Sequence, residues 1–222
     1  MYFIFTKKIW LKKNFDYLKN KKIIIRNKLS IKEIYRLKPK FLFFIHWSKY
    51  IPPKIFKNFL CIQFHTSDLP FGRGGSPVQN LILMGKKKTK ITAFKVESEV
   101  DSGPYCMKRK INLNGNAENI FRNIEKISIN MINSMVNMSS IKFKKQRGKI
   151  TYFKRRRKNE SEFNKNKKKL NSLIKINDFI RALDAEGYPK ANLTFKNYKI
   201  LLSNSKIYKN KLIGKFEIEK KK

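Results

Sequence analysis

The chain has 222 residues, 41% of them apolar, enough to bury the core of one ordinary domain with a small appendage. Its 53 Lys and Arg against 15 Asp and Glu give a formal charge of +38, and no apolar run approaches the roughly 20 residues of a membrane span. Two cysteines, Cys61 and Cys106, are too few for a disulfide framework or a thiol-rich metal site, and their apolar neighbours read as those of buried free thiols.

Met1 to Phe5 is too short for the apolar region of a signal peptide, and no small-residue cleavage site follows, so a cytoplasmic protein is expected. Tyr2 to Phe5 reads instead as a short buried strand, and Trp10 to Leu18 as one helix face. Lys22 to Arg26 is a second strand. Ser30-Ile-Lys-Glu33 is a capping box, in which Ser30 accepts from the amide of Glu33 and Glu33 reaches back to Ser30. Ile31, Ile34 and Leu37 then have helical spacing until Pro39, and Phe41 to Ile45 is a third strand. Pro52-Pro53 opens a short turn or helix, Leu60 to Phe64 is a fourth strand, and 65–76 is a loop rich in Gly and Pro. Val78 to Met84 is a short helix. The strands Thr89 to Val96 and Tyr105 to Ile111 flank a turn at Asp101-Ser102-Gly103-Pro104. Asn116 to Val136 is the longest helix, with Ile120, Phe121, Ile124, Ile127, Met131 and Met135 along one stripe. Ile174 to Leu183 is helical, and Ala191 to Phe195, Lys199 to Leu202 and Leu212 to Ile218 are strands. Short apolar strands alternating with helices predict an α/β fold. Its core is a Rossmann-like, mostly parallel sheet flanked by helices, followed by a small C-terminal α+β subdomain. The boundaries expected are 1–140, a basic linker over 141–172, and 173–222. Residues 6–9 are Thr-Lys-Lys-Ile, so the glycine fingerprint of a dinucleotide site is absent after the first strand.

The charge has two readings. Clustered basic residues are the footprint of nucleic-acid binding, whereas Lys, Asn and Ile in excess together are what AT-rich coding produces. Most of the lysines are dispersed, which favours the compositional reading. The exception is 141–170, with 14 basic and two acidic residues, a phosphate-binding strip or a solvated linker.

Ligands of open α/β sheets bind beyond the carboxyl ends of the strands. Gln63 and His65 lie two apart at such an end and so face the same side. Gly72, Gly74 and Gly75, with Pro70 and Pro77, then shape a loop that lets backbone approach a ligand. Asp101 supplies a carboxylate at a tight turn. Each piece alone has a structural reading: an isolated His commonly completes a hydrogen-bond pattern, and Asp before Gly commonly serves its turn. His46, beside Trp47, reads first as a packing residue.

Taken together, the pieces resemble the folate-dependent formyltransferase family, which includes methionyl-tRNA formyltransferases and sugar N-formyltransferases. The resemblance rests on His65-x-x-Asp68-Leu69-Pro70-x-x-Arg73-Gly74, then Pro77 and a helix, Thr89 and Thr92, and Asp101-x-Gly103-Pro104. It is closest to a methionyl-tRNA-formyltransferase-like subgroup, through His46-Trp-Ser48, Asp68 to Pro77 and Gln79-Asn-Leu-Ile82. It continues through Phe153-Lys-Arg-Arg156, Glu160-Ser161 and Ala185 to Ala191, covering nearly the whole chain. The family's usual Asn two residues before the His is Gln63 here, which keeps the amide on a longer arm.

The resemblance implies transfer of a formyl group from 10-formyltetrahydrofolate, as co-substrate, to an amine. His65 is the expected base, Asp101 its orienting carboxylate, and Gln63 a donor to the oxyanion. The pterin is expected against Phe44, His46 and Trp47 and against the loop at Leu69 and Arg73. No metal is needed, and no ligand cluster for one is evident in the sequence. Two acceptors compete. A nucleotide-linked amino sugar is the first expectation, because about 50 residues after the basic stretch look few for a tRNA-binding barrel. Methionyl-tRNA is the second. A third reading is a non-catalytic, basic nucleic-acid-binding protein on the same scaffold, against which the retention of His65, Asp101 and the whole loop argues.

Overall fold

The computed structural model describes residues 1–7 and 22–221; the helix expected over Trp10 to Leu18 lies outside the described residues. In chain order the elements are β1 (Tyr2–Phe5), β2 (Ile23–Arg26), α1 (Ile31–Leu37), β3 (Phe41–Phe44), α2 (Pro53–Phe56), β4 (Cys61–His65), β5 (Arg73–Gly74), α3 (Pro77–Leu83), β6 (Lys88–Lys95) and β7 (Tyr105–Asn112). They continue with α4 (Ala117–Val136), β8 (Tyr152–Phe153), α5 (Phe163–Asn166), α6 (Leu173–Leu183), β9 (Ala191–Phe195), β10 (Tyr198–Tyr208) and β11 (Lys211–Lys220). The chain divides into two compact units: Met1–Gly74, Thr89–Ile111 and Asn123–Tyr152 form the first, and Gly75–Lys88, Asn112–Arg122 and Phe153–Lys222 the second. Within 141–172, residues up to Tyr152 belong to the first unit and those from Phe153 to the second.

The first unit is built on a six-stranded sheet of order β2-β1-β3-β4-β6-β7. β1 pairs in parallel with β2 and β3, and β3 with β4, while β6 runs antiparallel to β4. β1 and β3 are continuous apolar runs without alternation, as strands covered on both faces must be. Phe5 lies opposite Phe44, and their rings stack with centroids 5.0 Å apart, each meeting Trp47 in a T-shaped contact. Ile34, Ile51, Ile55 and Cys61 complete this core. Ser30 caps α1, accepting from the Glu33 amide at 3.3 Å. The return half of the capping box does not form: the Glu33 carboxylate pairs with Arg26 at 2.6 Å, since a cation outcompetes a neutral amide for it. On α4 the expected stripe is buried except for Ile127, which is half-buried, and Ile129 and Ile132 widen it.

In the second unit α6 packs on a three-stranded sheet of order β11-β10-β9, antiparallel throughout. Phe179, Ile180, Leu183 and Ala191 are its buried core. β10 and β11 are longer than their apolar segments. Ser203-Asn-Ser205 is absorbed into β10 as a bulge, with the register shifting between Ser203 and Lys206 and Asn204 at φ 50°. Arg181 is buried in this unit: its Nε bonds Asp178 at 2.7 Å, and its Nη1 donates to the carbonyls of Leu113 and Gly115 at 2.6 and 2.8 Å. Removing one partner of a buried pair strands the other charge, at a cost of about 3–5 kcal/mol. Arg181→Met should lose that much in urea unfolding, and adding Asp178→Asn should restore part of it; a neutral Arg181→Met would contradict the assignment.

Candidate active site at the carboxyl end of the sheet

β4 ends at His65, which is buried, and the period of two places half-buried Gln63 on the same side of the strand. Gln63 lies opposite Phe44 on one neighbouring strand and Phe94 on the other. Beyond β3, His46 is half-buried at φ 49° and Trp47 is buried. The Trp47 indole Nε1 has no hydrogen-bond partner among the described residues. Phe44 is 0% exposed and belongs to the aromatic core, so its side chain offers no surface to a ligand here.

The loop after β4 is tied down along its length. Thr92 Oγ1 donates to Ser67 O at 2.7 Å. Asp68 is paired with Lys90 at 2.8 Å and with Lys108 at 2.6 Å, and Lys108 also donates to Leu69 O. The Gly72 amide donates to Thr151 Oγ1 at 2.7 Å, and the Arg73 amide to Thr151 O at 2.9 Å. Leu69 and Arg73, expected against the pterin, are 0% and 6% exposed. The Arg73 guanidinium donates to Gln146 Oε1, at 2.9 Å from Nη2.

Asp101 sits on the other wall, in the turn after β6, at φ 52° and 8% exposed. The glycine two residues on has a steric cause: a Cβ on Gly103 would lie 1.8 Å from Lys95 O, so only Gly permits this approach. Asp101 Oδ2 accepts from the Gly74 amide at 2.8 Å and lies 3.3 Å from His65 Nδ1. On the far side of the ring, Nε2 is 2.7 Å from Gly72 O. A carbonyl only accepts, so Nε2 is the donor. Both ring nitrogens of His65 therefore face oxygen atoms, Gly72 O at Nε2 and Asp101 Oδ2 at Nδ1.

His65 and Asp101, 36 positions apart in sequence, are thus brought together, with Gln63 on the same side of β4 as His65. Gln146, Thr151 and Lys108 were not singled out by sequence: the first two lie in the basic stretch, where nothing local marks them, and the third is one lysine among many. Neither thiol is a nucleophile at neutral pH, because burial pushes Cys61 up to about 12 and Cys106 up to about 11. The chemistry available here is proton transfer at the imidazole under the influence of a buried carboxylate.

Residues 12–126 match the family described as formyl transferase, and residues 158–219 match the methionyl-tRNA formyltransferase C-terminal domain. The solved structure of a methionyl-tRNA formyltransferase from Clostridium thermocellum is 41% identical, with a TM-score of 0.91 over 99% of this chain and 98% of that one. A curated methionyl-tRNA formyltransferase from Thermodesulfovibrio yellowstonii is 29% identical over 158 residues, which are 68% of this chain and 50% of the relative. This chain therefore spans about half the length of that relative. A sugar N-formyltransferase from a Shewanella species shares the fold at 15% identity, with a TM-score of 0.68 over 94% of this chain and 99% of that one.

The loop carries a pH dependence of its own. Burial works against the charged form of Asp68, but the hydrogen bonds and charges of Lys108 and Lys90 outweigh it and hold the carboxyl below its usual range. A carboxyl lowered in the folded state stabilises the fold above its unfolded value of about 3.9 and loses that contribution as the pH falls through the lowered one. Asp68→Asn should therefore destabilise the protein at pH 7 and cost less at about pH 2, below the unfolded carboxyl's value. Urea unfolding at the two pH values checks this, and an equal gap at both would contradict it.

Proposed function

Because the chain belongs to the formyl transferase family, we propose that it transfers a formyl group from 10-formyltetrahydrofolate to the amino group of methionine carried on a tRNA. The observation that carries the choice of acceptor is the match of residues 158–219 to the methionyl-tRNA formyltransferase C-terminal domain. The 41% identity across 98% of the Clostridium chain supports it. The amino-sugar acceptor expected from sequence rested on the shortness of the tail. That argument fails, because a chain named for methionyl-tRNA has the same extent, and the likeness to the sugar enzyme, at 15% identity, carries the fold alone. The +38 charge, compositional or not, suits a polyanionic acceptor.

In this reading the neutral amine attacks the formyl carbon, and the bond from that carbon to the folate nitrogen breaks as the tetrahedral intermediate collapses. His65 takes the proton that the amine loses and delivers one to the departing nitrogen. Asp101 orients the ring through Nδ1 and stabilises its protonated form. Gln63 donates to the oxygen on which negative charge develops. His65 exchanges its Gly72 partner at Nε2 for the substrate, since the contact at Nδ1 is the one reinforced by charge. His46 and Trp47 at the end of β3 would hold the pterin; the buried indole N–H, without a partner among the described residues, suits a heterocycle with acceptors on its edge.

The test offers the protein 10-formyltetrahydrofolate with initiator methionyl-tRNA, the same tRNA uncharged, and nucleotide-linked amino sugars, at physiological salt. Formylation of the charged tRNA alone is the expected result. Formylation of a sugar with the charged tRNA untouched would overturn the choice of acceptor.

A further inference from the structure

The segment after α4 reads from its composition as a phosphate-binding strip or a solvated linker, and its backbone is paired beside the candidate active site. Lys144 and Tyr105 exchange both backbone hydrogen bonds, at 2.8 and 2.9 Å, in an isolated antiparallel bridge. Two residues further on, Gln146 lies beside the turn that carries Asp101. Its Nε2 donates to Asp101 O and to Gly103 O, both at 2.8 Å. Its Oε1 accepts from Arg73 Nη2 at 2.9 Å and from Arg73 Nε at 3.3 Å. The orientation of the amide is dictated by these partners, since carbonyls only accept and a guanidinium only donates. Both donors and both acceptor sites of one carboxamide are thereby used.

The four bonds end on the two segments that place the Asp101 carboxylate. Two hold the carbonyls on either side of the turn, at a residue whose φ of 52° costs energy and persists only where its surroundings impose it. The other two hold Arg73, the residue before the Gly74 amide that donates to Asp101 Oδ2. The position of Oδ2 relative to His65 Nδ1, 3.3 Å away, thus depends on the turn and on the loop, and Gln146 is the side chain bonded to both.

We propose that Gln146 is a positioning residue of this active site, locking the Asp101 turn to the Arg73–Gly74 segment and so setting the alignment of Asp101 with His65. The kinetic consequences rest on the formyl-transfer reading; the effect on the His65 ring does not. No other side chain of this size does the same work. Glu keeps the shape and the pairing with Arg73 but turns oxygen lone pairs towards two carbonyls. Met keeps the length and loses all four bonds. Asn has the chemistry on an arm one carbon too short.

The test compares wild type, Gln146→Glu and Gln146→Met with Asp101→Asn and the corresponding double variants. Misplacing a catalytic group by about 1 Å commonly costs about 100-fold in rate. Gln146→Glu should therefore lower kcat about 10- to 100-fold while KM for the folate stays within about threefold. Because Gln146 acts through Asp101, its replacement in the Asp101→Asn background should cost less than about twofold more. The second readout needs no substrate. The chain has two histidines, so the ring nitrogens of His65 are separable by NMR, with His46→Gln settling the assignment. Their shifts in Gln146→Glu should move towards those of Asp101→Asn. A folded Gln146→Glu with wild-type kcat and unmoved His65 shifts overturns the proposal, as does a loss fully additive with that of Asp101→Asn. Should Gln146→Glu not fold, Gln146→Met is read against the same outcomes. If wild type formylates no acceptor offered, the transfer reading falls, while the ring shifts still decide the role of Gln146.

Discussion

Asp101 Oδ2 accepts a hydrogen bond from the Gly74 amide at 2.8 Å and faces His65 Nδ1 at 3.3 Å, with both side chains buried. That oxygen places demands on three segments far apart in sequence. β4 must end where His65 points off the sheet. The loop must present the Gly74 amide to the carboxylate and the Gly72 carbonyl to the other ring nitrogen. The turn must hold Asp101 in the left-handed region, which brings Gly103 so close to Lys95 O that a Cβ does not fit. Away from water each of these groups is costly unless partnered, and each is partnered by another of the set. The polar atoms of the site are therefore shared within the set, with the Gly74 amide and the Gly72 carbonyl as its backbone partners.

The same economy governs the cations. Arg73 and Arg181 are both buried, one in each unit, and both direct their guanidinium groups to amide oxygens. Arg181 has a carboxylate as well, in Asp178, whereas Arg73 has the neutral amide of Gln146. A neutral acceptor at Arg73 leaves Asp101 as the carboxylate beside His65, which keeps the charge pairing in the site unambiguous. In a chain of net charge +38, long-range repulsion cannot organise a site, and short-range hydrogen bonds of fixed direction do so instead.

β1 and β3 were legible as uninterrupted apolar runs and β4 as an apolar run broken by Gln63, and Ser30 and Pro39 bound α1 as their chemistry requires. The pairing of His65 with Asp101 was legible only through motif order, since nothing local joins residues 36 apart. Gln146 and Thr151 were illegible for a physical reason. The bridge at Lys144 and the bond to Thr151 O are made by the backbone, which leaves no signature of residue type, and a lysine-rich run reads as solvated whatever its main chain does. Composition likewise hid the length of β10 and β11, because Ser203-Asn-Ser205 has turn chemistry and the bulge that absorbs it is set by cross-strand pairing. Arg73 was expected against the ligand from the family resemblance; its burial follows from the partner that sequence did not reveal.

The family match gives a reaction class, and we propose that one imidazole and one carboxylate carry the work within it. The most direct measurement is the single-turnover rate of formyl transfer to initiator methionyl-tRNA by Asp101→Asn, which preserves an acceptor for the Gly74 amide and removes the charge beside His65. With folding verified by its unfolding curve, this variant should transfer about two to four orders of magnitude more slowly than wild type. A folded Asp101→Asn variant transferring at the wild-type rate would contradict the account.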